Sequence, residues 1–168
     1  PTTANAGVNR LTCEDSIQLF PNTPTIGEGE WSVLDGAAVF VDNKAYNLDT
    51  DDNTLMYSIV NRGCISTDTI IVTSHKPSSA STPPSRSICT DTTVLNGNPP
   101  SVGTGIWTIL SGTLDFDDPT DANTVVRNVG FGNNRLRCAI TYQGCTSYSD
   151  LTLSYDLIEA SAGDDQTL

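Results

Sequence analysis

The sequence predicts an all-β chain built from two tandem β-sandwich repeats, and three observations support this fold class. The segment 27–36, GEGEWSVLDG, returns in altered form at 103–112 as GTGIWTILSG, and such self-similarity marks repeated structural units. Segments such as 55–60 and 136–141 alternate apolar and polar residues with the period of a half-buried strand. No window carries the apolar stripe of an amphipathic helix.

The register between the repeats follows from pairs of identical residues. A shift of 76 positions superposes Cys13 on Cys89, and farther along a shift of 81 superposes Cys64 on Cys145. Repeat 2 therefore contains five extra residues. We expect them within 124–133, with a turn at 130–134, because loops tolerate insertions better than strands do.

Three parts are expected along the chain: repeat 1 at 1–76, repeat 2 at 77–157 and the start of a third repeat at 158–168. The third part is predicted because 160–163, ASAG, matches 4–7, ANAG, which would make the chain a fragment of a longer protein, monomeric by itself. Within each repeat, about seven short strands separated by turn residues are typical of a small immunoglobulin-like β-sandwich.

The charge balance restricts the class of partner. Asp and Glu number 20 against 8 Lys and Arg, so the formal net charge is −12, which argues against nucleic acid and against anionic membrane surfaces. No apolar run approaches the roughly 20 residues of a membrane span. We expect no direct membrane insertion and, since the N-terminus has no signal peptide, an export signal outside this sequence.

Five cysteines indicate the redox chemistry of the chain. Because Cys13 is equivalent to Cys89 and Cys64 to Cys145, we expect one disulfide within each repeat, Cys13–Cys64 and Cys89–Cys145. Each bridge would close a loop of about 50 residues and stabilise a small domain by about 4 kcal/mol in the chain-entropy model. Disulfides of this kind imply an oxidising compartment.

The fifth cysteine, Cys138, aligns with Tyr57 in mid-strand, and we expect a buried free thiol. The alternative is an intermolecular bridge. A zinc site is disfavoured because the chain has no C-x-x-C motif and its single histidine, His75, lies in the predicted linker. A Ser-His-Asp triad would have to use His75, which has no counterpart in repeat 2, so we expect no enzyme, no catalytic residue and no cofactor apart from calcium.

The duplicated segment is expected to form the structural centre of each repeat. Its tryptophan is predicted to pack in the core, as the central Trp of an immunoglobulin-like sandwich does, and its glycines to form the turn into that strand. The alternative is an exposed aromatic platform on which a sugar stacks. The residues concerned are Trp31, Gly27 and Gly29, and in repeat 2 Trp107, Gly103 and Gly105.

Acidic residues cluster in turn-like runs, and carboxylate oxygens are the ligands that a hard cation such as calcium requires. Two interpretations stay open: solvated turns that keep a secreted surface soluble, and a calcium site in one or both repeats. The spacing does not follow that of an EF-hand. The candidate ligands are Asp42, Asp49, Asp51, Asp52, Asp115, Asp117, Asp118 and Asp121.

The order of these motifs resembles a known family. An A-x-A-G start, a cysteine, a G-x-G-x-W segment and a late Gly-Cys pair are similar to the PKD-like, immunoglobulin-like repeats of very large Bacteroidetes adhesins for gliding motility, which the type IX secretion system exports. Repeat 2 departs from the pattern at 80–83, ASTP. The residues that carry the resemblance are Ala4, Ala6, Gly7, Cys13, Gly27, Gly29, Trp31, Gly63 and Cys64, then Cys89, Asn98, Pro99, Gly103, Gly105, Trp107, Gly144 and Cys145, and finally Ala160, Ala162 and Gly163.

The resemblance implies a stalk or spacer segment of a filamentous adhesin, extracellular and associated with the outer membrane. Its implied partners are neighbouring repeats of the same chain, with surface polysaccharide or gliding-motor components beyond them. The alternatives are an immunoglobulin-like module that binds carbohydrate or protein, and an accessory repeat of a secreted enzyme. Secreted proteins of that phylum often have O-glycans on Asp-Ser/Thr motifs, which makes Ser16, Thr69 and Thr92 candidate modification sites.

Overall fold

The computed structural model describes residues 1–156, so the predicted start of a third repeat at 158–168 lies outside the described residues. These 156 residues form fourteen strands and no helix, and therefore no helix that could cross a membrane. The predicted all-β fold class is confirmed.

The chain divides into two compact units. The first consists of Pro1–Pro77 together with Tyr142–Thr146, and the second of Ser78–Thr141 with the residues from Ser147 onward. The main boundary thus falls one residue from the predicted end of repeat 1. Tyr142–Thr146 is a hairpin tip whose sequence belongs to repeat 2 and whose contacts place it in the first unit.

Seven strands make up repeat 1, and they pair in two sheets. The larger sheet has the order β1-β7-β6-β3, in which β1 runs parallel to β7 and the other pairs are antiparallel. The smaller sheet, β2-β5-β4, is antiparallel. The strands are β1 (Arg10–Thr12), β2 (Ser16–Gln18), β3 (Glu28–Asp35), β4 (Val39–Val41), β5 (Lys44–Tyr46), β6 (Asp51–Asn61) and β7 (Cys64–Ser74).

Repeat 2 has the same arrangement. Its larger sheet has the order β10-β13-β14-β8, with β8 parallel to β14, and its smaller sheet is β11-β12-β9. The strands are β8 (Arg86–Ile88), β9 (Thr93–Val94), β10 (Thr104–Ser111), β11 (Asp115–Phe116), β12 (Val125–Arg127), β13 (Gly132–Tyr142) and β14 (Cys145–Tyr155).

This strand order is that of an immunoglobulin-like sandwich. In each repeat the first strand pairs with the last, and the second, fourth and fifth strands form the opposite sheet. Alternate residues of a strand point to one face, so the long sixth strand supplies three buried apolar side chains to each core. They are Leu55, Tyr57 and Ile59 in repeat 1 and Leu136, Cys138 and Ile140 in repeat 2.

The five extra residues of repeat 2 lie earlier than the sequence predicts. Two residues connect β4 to β5, whereas 117–124 connects β11 to β12. The following connections, 47–50 and 128–131, are equal in length, so the insertion is not at the turn 130–134. The longer loop covers the core strand β10: the backbone N–H of Trp107 donates a hydrogen bond to the Pro119 carbonyl over 2.8 Å.

Candidate functional site at the ends of the terminal strands

One disulfide forms among the described residues, and it joins Cys13 to Cys145 with 5.4 Å between their Cα atoms. Both predicted pairings, Cys13–Cys64 and Cys89–Cys145, are therefore wrong. Cys64 and Cys89 are exposed free thiols, and Cys138 is a buried one whose pKa is raised by desolvation. Cys13 and Cys145 both lie in the first unit, to which the tip Tyr142–Thr146 belongs.

The strand register explains why repeat 1 cannot close the predicted bridge. Cys64 is the first residue of β7, whereas Cys13 follows Thr12, which pairs with Ser74 at the other end of β7. At about 3.3 Å per residue, the length of β7 separates the two cysteines by about 33 Å. A disulfide needs Cα atoms about 5–6 Å apart.

Repeat 2 has the same separation. Cys145 is the first residue of β14, and Cys89 follows Ile88, which pairs with Tyr155 at the far end of that strand. Each repeat thus has an early cysteine (Cys13 or Cys89) at one end of its last strand and a late cysteine (Cys64 or Cys145) at the other. The repeat register indicates which cysteines are equivalent, but it does not indicate which end of a strand each one occupies.

Side-chain contacts accompany the disulfide in the first unit. The Tyr142 hydroxyl donates a hydrogen bond to the Asp51 carboxylate over 2.6 Å, which raises the pKa of the tyrosine. The His75 ring meets the Tyr142 ring edge-on, with 5.9 Å between centroids. The hairpin tip is therefore held by polar and aromatic contacts as well as by the covalent bond.

In repeat 1 the chain start is attached along the full length of β7. We call this pairing of the first strand region with the last strand the terminal seam. Before the β1–β7 ladder begins, side-chain acceptors bind backbone N–H groups across the seam. Ser66 Oγ accepts from Ala4 over 2.9 Å, Asp68 Oδ2 from Ala6 over 2.8 Å, and Asn9 Oδ1 from Ile71 over 2.9 Å.

The seam of repeat 2 uses the equivalent positions. Ala80 donates its N–H to Ser147 Oγ over 2.9 Å, the hydroxyls of Thr82 and Ser149 are hydrogen-bonded over 2.9 Å, and Thr152 donates its N–H to Ser85 Oγ over 3.0 Å. The A-x-A-G start of the repeat is thus a docking segment for the last strand. Sequence reasoning missed these side chains, although the matching positions of Ser66 with Ser147 and of Asn9 with Ser85 contained the signal.

Both tryptophans lie in the cores. Trp31 is 8% exposed and packs against Tyr57 with 5.1 Å between ring centroids, whereas Trp107 is 2% exposed and opposes Cys138 across the strand pair. Neither tryptophan offers an exposed platform for a sugar.

The paired glycines have different roles. Gly27 and Gly103 immediately precede β3 and β10 with φ of 105° and 95°, which non-glycine residues rarely adopt. Gly29 and Gly105 lie inside those strands. A Cβ on Gly29 would overlap the Tyr57 hydroxyl, so this glycine makes room for an aromatic side chain of the core.

The acidic candidates for calcium are dispersed among turns and strands, and most of their carboxylates accept hydrogen bonds from the protein. No group of three or more His, Cys, Asp or Glu side chains converges within the part of the chain that the structure describes. Asp117 pairs with Arg127 over 2.7 Å, which lowers the pKa of its carboxyl. Among the other candidates, Asp52 accepts from Thr73, Asp115 from Asn128, Asp118 from Thr120 and Asp121 from Asn123, while Asp42 occupies a turn with φ of 54° and Asp49 donates its N–H to Asn53.

The candidate glycosylation residues lie in different settings. Ser16 is a half-buried residue of β2. Thr69 is exposed on β7, and Thr92 is half-buried and donates a hydrogen bond to Asp91 over 3.2 Å. Thr69 is the best presented of the three to an enzyme that would modify it.

One open cavity lies in the first unit, with a volume of about 190 Å³. Ala6, Leu19, Phe20 and Ile70 are among its lining residues, and Arg10 stacks over the Phe20 ring with 5.2 Å to the centroid. Its volume is below the roughly 300–1,000 Å³ of small-molecule pockets. His75, the one candidate base, is not among the residues that line it.

In each repeat one buried asparagine binds the backbone around the start of the sixth strand, and the sequence did not indicate this role. Asn53 Oδ1 accepts the N–H groups of Ala37 and Asp49, and its amide donates to the carbonyls of Asp49 and Asp51. In repeat 2, Asn134 Oδ1 accepts the N–H of Thr113, and its amide donates to the carbonyls of Gly130 and Gly132. These side chains satisfy backbone groups that the turn leaves unpaired.

No protein-family model matches the sequence, and no curated protein matches it. Solved structures with similar architecture include Drosophila OTK extracellular domains 3–5 (15% identity, TM-score 0.43, 90% of this chain and 59% of that one). They also include the fibronectin(III)-like modules of Clostridium thermocellum CbhA (10% identity, TM-score 0.38, 97% of this chain and 100% of that one). A third is the N-terminal four Ig domains of Dscam1 (13% identity, TM-score 0.36, 90% of this chain and 44% of that one). The fold assignment rests on the strand order of each repeat.

Proposed function

We propose that this chain is a non-enzymatic, load-bearing spacer of a long extracellular adhesin, of the SprB type that serves gliding motility in Bacteroidetes. Its partners would be neighbouring repeats of the same chain, and the adhesin as a whole would contact surface polysaccharide and the gliding motor. The observation that carries the proposal is the terminal seam, which occurs at equivalent positions in both repeats.

A parallel seam between the first and last strands resists tension. A force that pulls the start of β1 and the end of β7 apart acts along both strands, because the two run parallel. The hydrogen bonds of the seam are then loaded in shear and must break together, whereas an antiparallel terminal pair would open one bond at a time. Repeat 2 presents the same geometry through β8 and β14.

The disulfide bears load by a second route, which bypasses the seams while the bond is intact, so the seams are loaded once it is reduced. Because Cys13 and Cys145 are 132 positions apart, the intact bond withholds most of the chain from extension under load. Its formation also fits an oxidising, extracellular location.

A binding module is the alternative, and it predicts exposed aromatic residues at matching positions in both repeats. The large exposed aromatics of the described residues do not match: Phe20 corresponds to Asn96, Tyr46 to Arg127, Phe131 to Thr50 and Tyr148 to Thr67. This difference favours the spacer over a repeated ligand site.

Force spectroscopy on the full chain, pulled through its termini under reducing conditions, tests the load-bearing role. Asp68→Ala removes the acceptor for the Ala6 N–H, so we expect it to lower the rupture force of one unit. Asp68→Asn keeps an oxygen acceptor and serves as the matched control, which should retain the wild-type force. Equal forces for wild type and Asp68→Ala, at equal chemical stability, would contradict a seam loaded in shear.

The cellular role needs a separate experiment. Fluorescent antibodies raised against the full chain should label the surface of living, unpermeabilised gliding cells of the source organism and move along it. Labelling that requires permeabilised cells would contradict an extracellular spacer, and immobile surface label would contradict the link to the gliding motor.

A further inference from the structure

The two exposed cysteines occupy the same structural positions as the two that are bonded. Cys64 is a late cysteine like Cys145, and Cys89 is an early cysteine like Cys13. In both repeats a two-residue turn with positive φ at both positions immediately precedes the late cysteine, with φ of 49° and 84° before Cys64 and of 46° and 87° before Cys145. The unbonded thiols therefore have bonded counterparts within the same molecule.

The existing bond follows a simple rule: the early cysteine of one repeat is bonded to the late cysteine of the next repeat. A bond within one repeat is excluded, because the length of the last strand, about 33 Å, lies between its two cysteines. Applied to the remaining thiols, the rule assigns Cys89 to the late cysteine of a following repeat and Cys64 to the early cysteine of a preceding one.

We propose that Cys64 and Cys89 are the two half-sites of a repeating disulfide joint, each bonded in the functional array to a neighbouring repeat of this type. The proposal rests on the spacer function above, and it names the partner and the atoms that join it. A second copy of the chain supplies both half-sites, so the joint would form from Cys89 of one copy and Cys64 of another.

The chemistry is an ordinary thiol–disulfide exchange. The Cys89 thiolate attacks a disulfide oxidant such as oxidised glutathione and releases one glutathione thiolate. The Cys64 thiolate then attacks the mixed disulfide at the cysteine sulfur and releases the second. Two thiols lose two electrons and two protons, and the oxidised glutathione is reduced to two thiols.

The proposed joint between Cys89 and Cys64 would lack one contact that accompanies the Cys13–Cys145 bond. Tyr142 and Asp51 are hydrogen-bonded beside Cys145, but their equivalents by the 81-residue shift are Asn61 and Gly132. The pairing of Cys64 with Cys89 would thus depend on the covalent bond without this hydrogen bond. Cys138 does not compete for it, since its thiol is buried.

Two single variants of the full chain test the pairing in glutathione redox buffer, with products separated on non-reducing gels. Cys64→Ser retains only the early thiol at Cys89, and Cys89→Ser retains only the late thiol at Cys64. Each variant alone should stay monomeric, whereas an equimolar mixture should give one dimer and no larger species. Dimers of either variant alone, in the yield of the mixture, would overturn the pairing rule.

A tandem polypeptide, residues 1–156 followed directly by 1–168, removes the dependence on concentration and keeps the repeat register. Peptide mapping should find Cys89 of the first copy bonded to Cys64 of the second, with Cys13–Cys145 intact in both copies. If both inner thiols stay reduced under conditions that form Cys13–Cys145, the proposal is wrong. This result is independent of rupture force, so a failed joint and a failed load-bearing function remain distinguishable.

Discussion

The two hairpin tips have closely similar sequences and opposite environments. Arg62-Gly63 and Gln143-Gly144 both adopt the positive φ angles of a tight hairpin turn. The cysteine after the first turn is exposed, whereas the cysteine after the second is 3% exposed and bonded to Cys13. A partner segment, and not the fold of the repeat itself, therefore determines the state of the late cysteine.

The largest expected change in the free energy of unfolding distinguishes the two late cysteines, Cys145 and Cys64. Cys145→Ser removes a bond that spans 132 positions, which in the chain-entropy model stabilises the folded state by about 5 kcal/mol. Cys64→Ser, the matched control, should change the free energy of unfolding by less than about 0.5 kcal/mol, since the residue is exposed and unbonded. Denaturant unfolding of both oxidised variants measures the difference, and equal losses of stability would show that the two late cysteines have the same role.

The core tryptophans should give the next largest effect. Trp107→Ala and Trp31→Ala should each lower the free energy of unfolding of their unit by about 3–5 kcal/mol, because each leaves a cavity. We expect the larger loss for Trp107, which is more buried and has a loop over its strand. Denaturation followed by the fluorescence of the remaining tryptophan and by circular dichroism tests this order, and a loss below about 1 kcal/mol at either site would contradict a core position.

The smallest effect is the dependence of stability on pH. Hydrogen bonds from Arg127 and Arg137 lower the pKa of Asp117 and Asp150, both in repeat 2. These carboxylates are exposed, so their contribution is small and is screened by salt. Because the unfolded chain takes up protons first, the contribution is complete above about pH 4 and is lost as the pH falls through the lowered pKa values of the folded state. Arg137→Gln should flatten the fall in Tm between about pH 5 and pH 2, and an unchanged profile would contradict the role of this pair.

The sequence predicted the parts of the fold that depend on local pattern. Alternation identified β6 and β13, and the duplicated segment identified the strands of Trp31 and Trp107, because strand periodicity and core aromatics are visible in single stretches. The insertion was misplaced because residues 124–133 match weakly between repeats, and the structure shows the length change at 117–124 instead.

The candidate site could not be derived in the same way. Equivalence between Cys13 and Cys89 is a one-dimensional relation, whereas pairing depends on which end of β7 each cysteine occupies. That end is determined by the parallel run of β1 along β7, a long-range pairing that no local pattern reports. The roles of Asn53 and Asn134 were hidden in part for the same reason, since each accepts a hydrogen bond from a distant backbone N–H, that of Ala37 16 positions away or that of Thr113 21 positions away.

Peptide mapping of the oxidised, unreduced full chain identifies which cysteines are bonded to each other. From the monomeric fraction, trypsin should release residues 11–44, which contain Cys13, linked to 138–168, and fragmentation should place the link at Cys145 and not at Cys138 of the same peptide. Cys64 in 63–86 and Cys89 in 87–127 of this fraction should react with a thiol-alkylating reagent. The pairing of Cys13 with Cys145 predicts this single link. Links of 11–44 to 63–86 and of 87–127 to 138–168 would contradict it, because each repeat would then close its own disulfide.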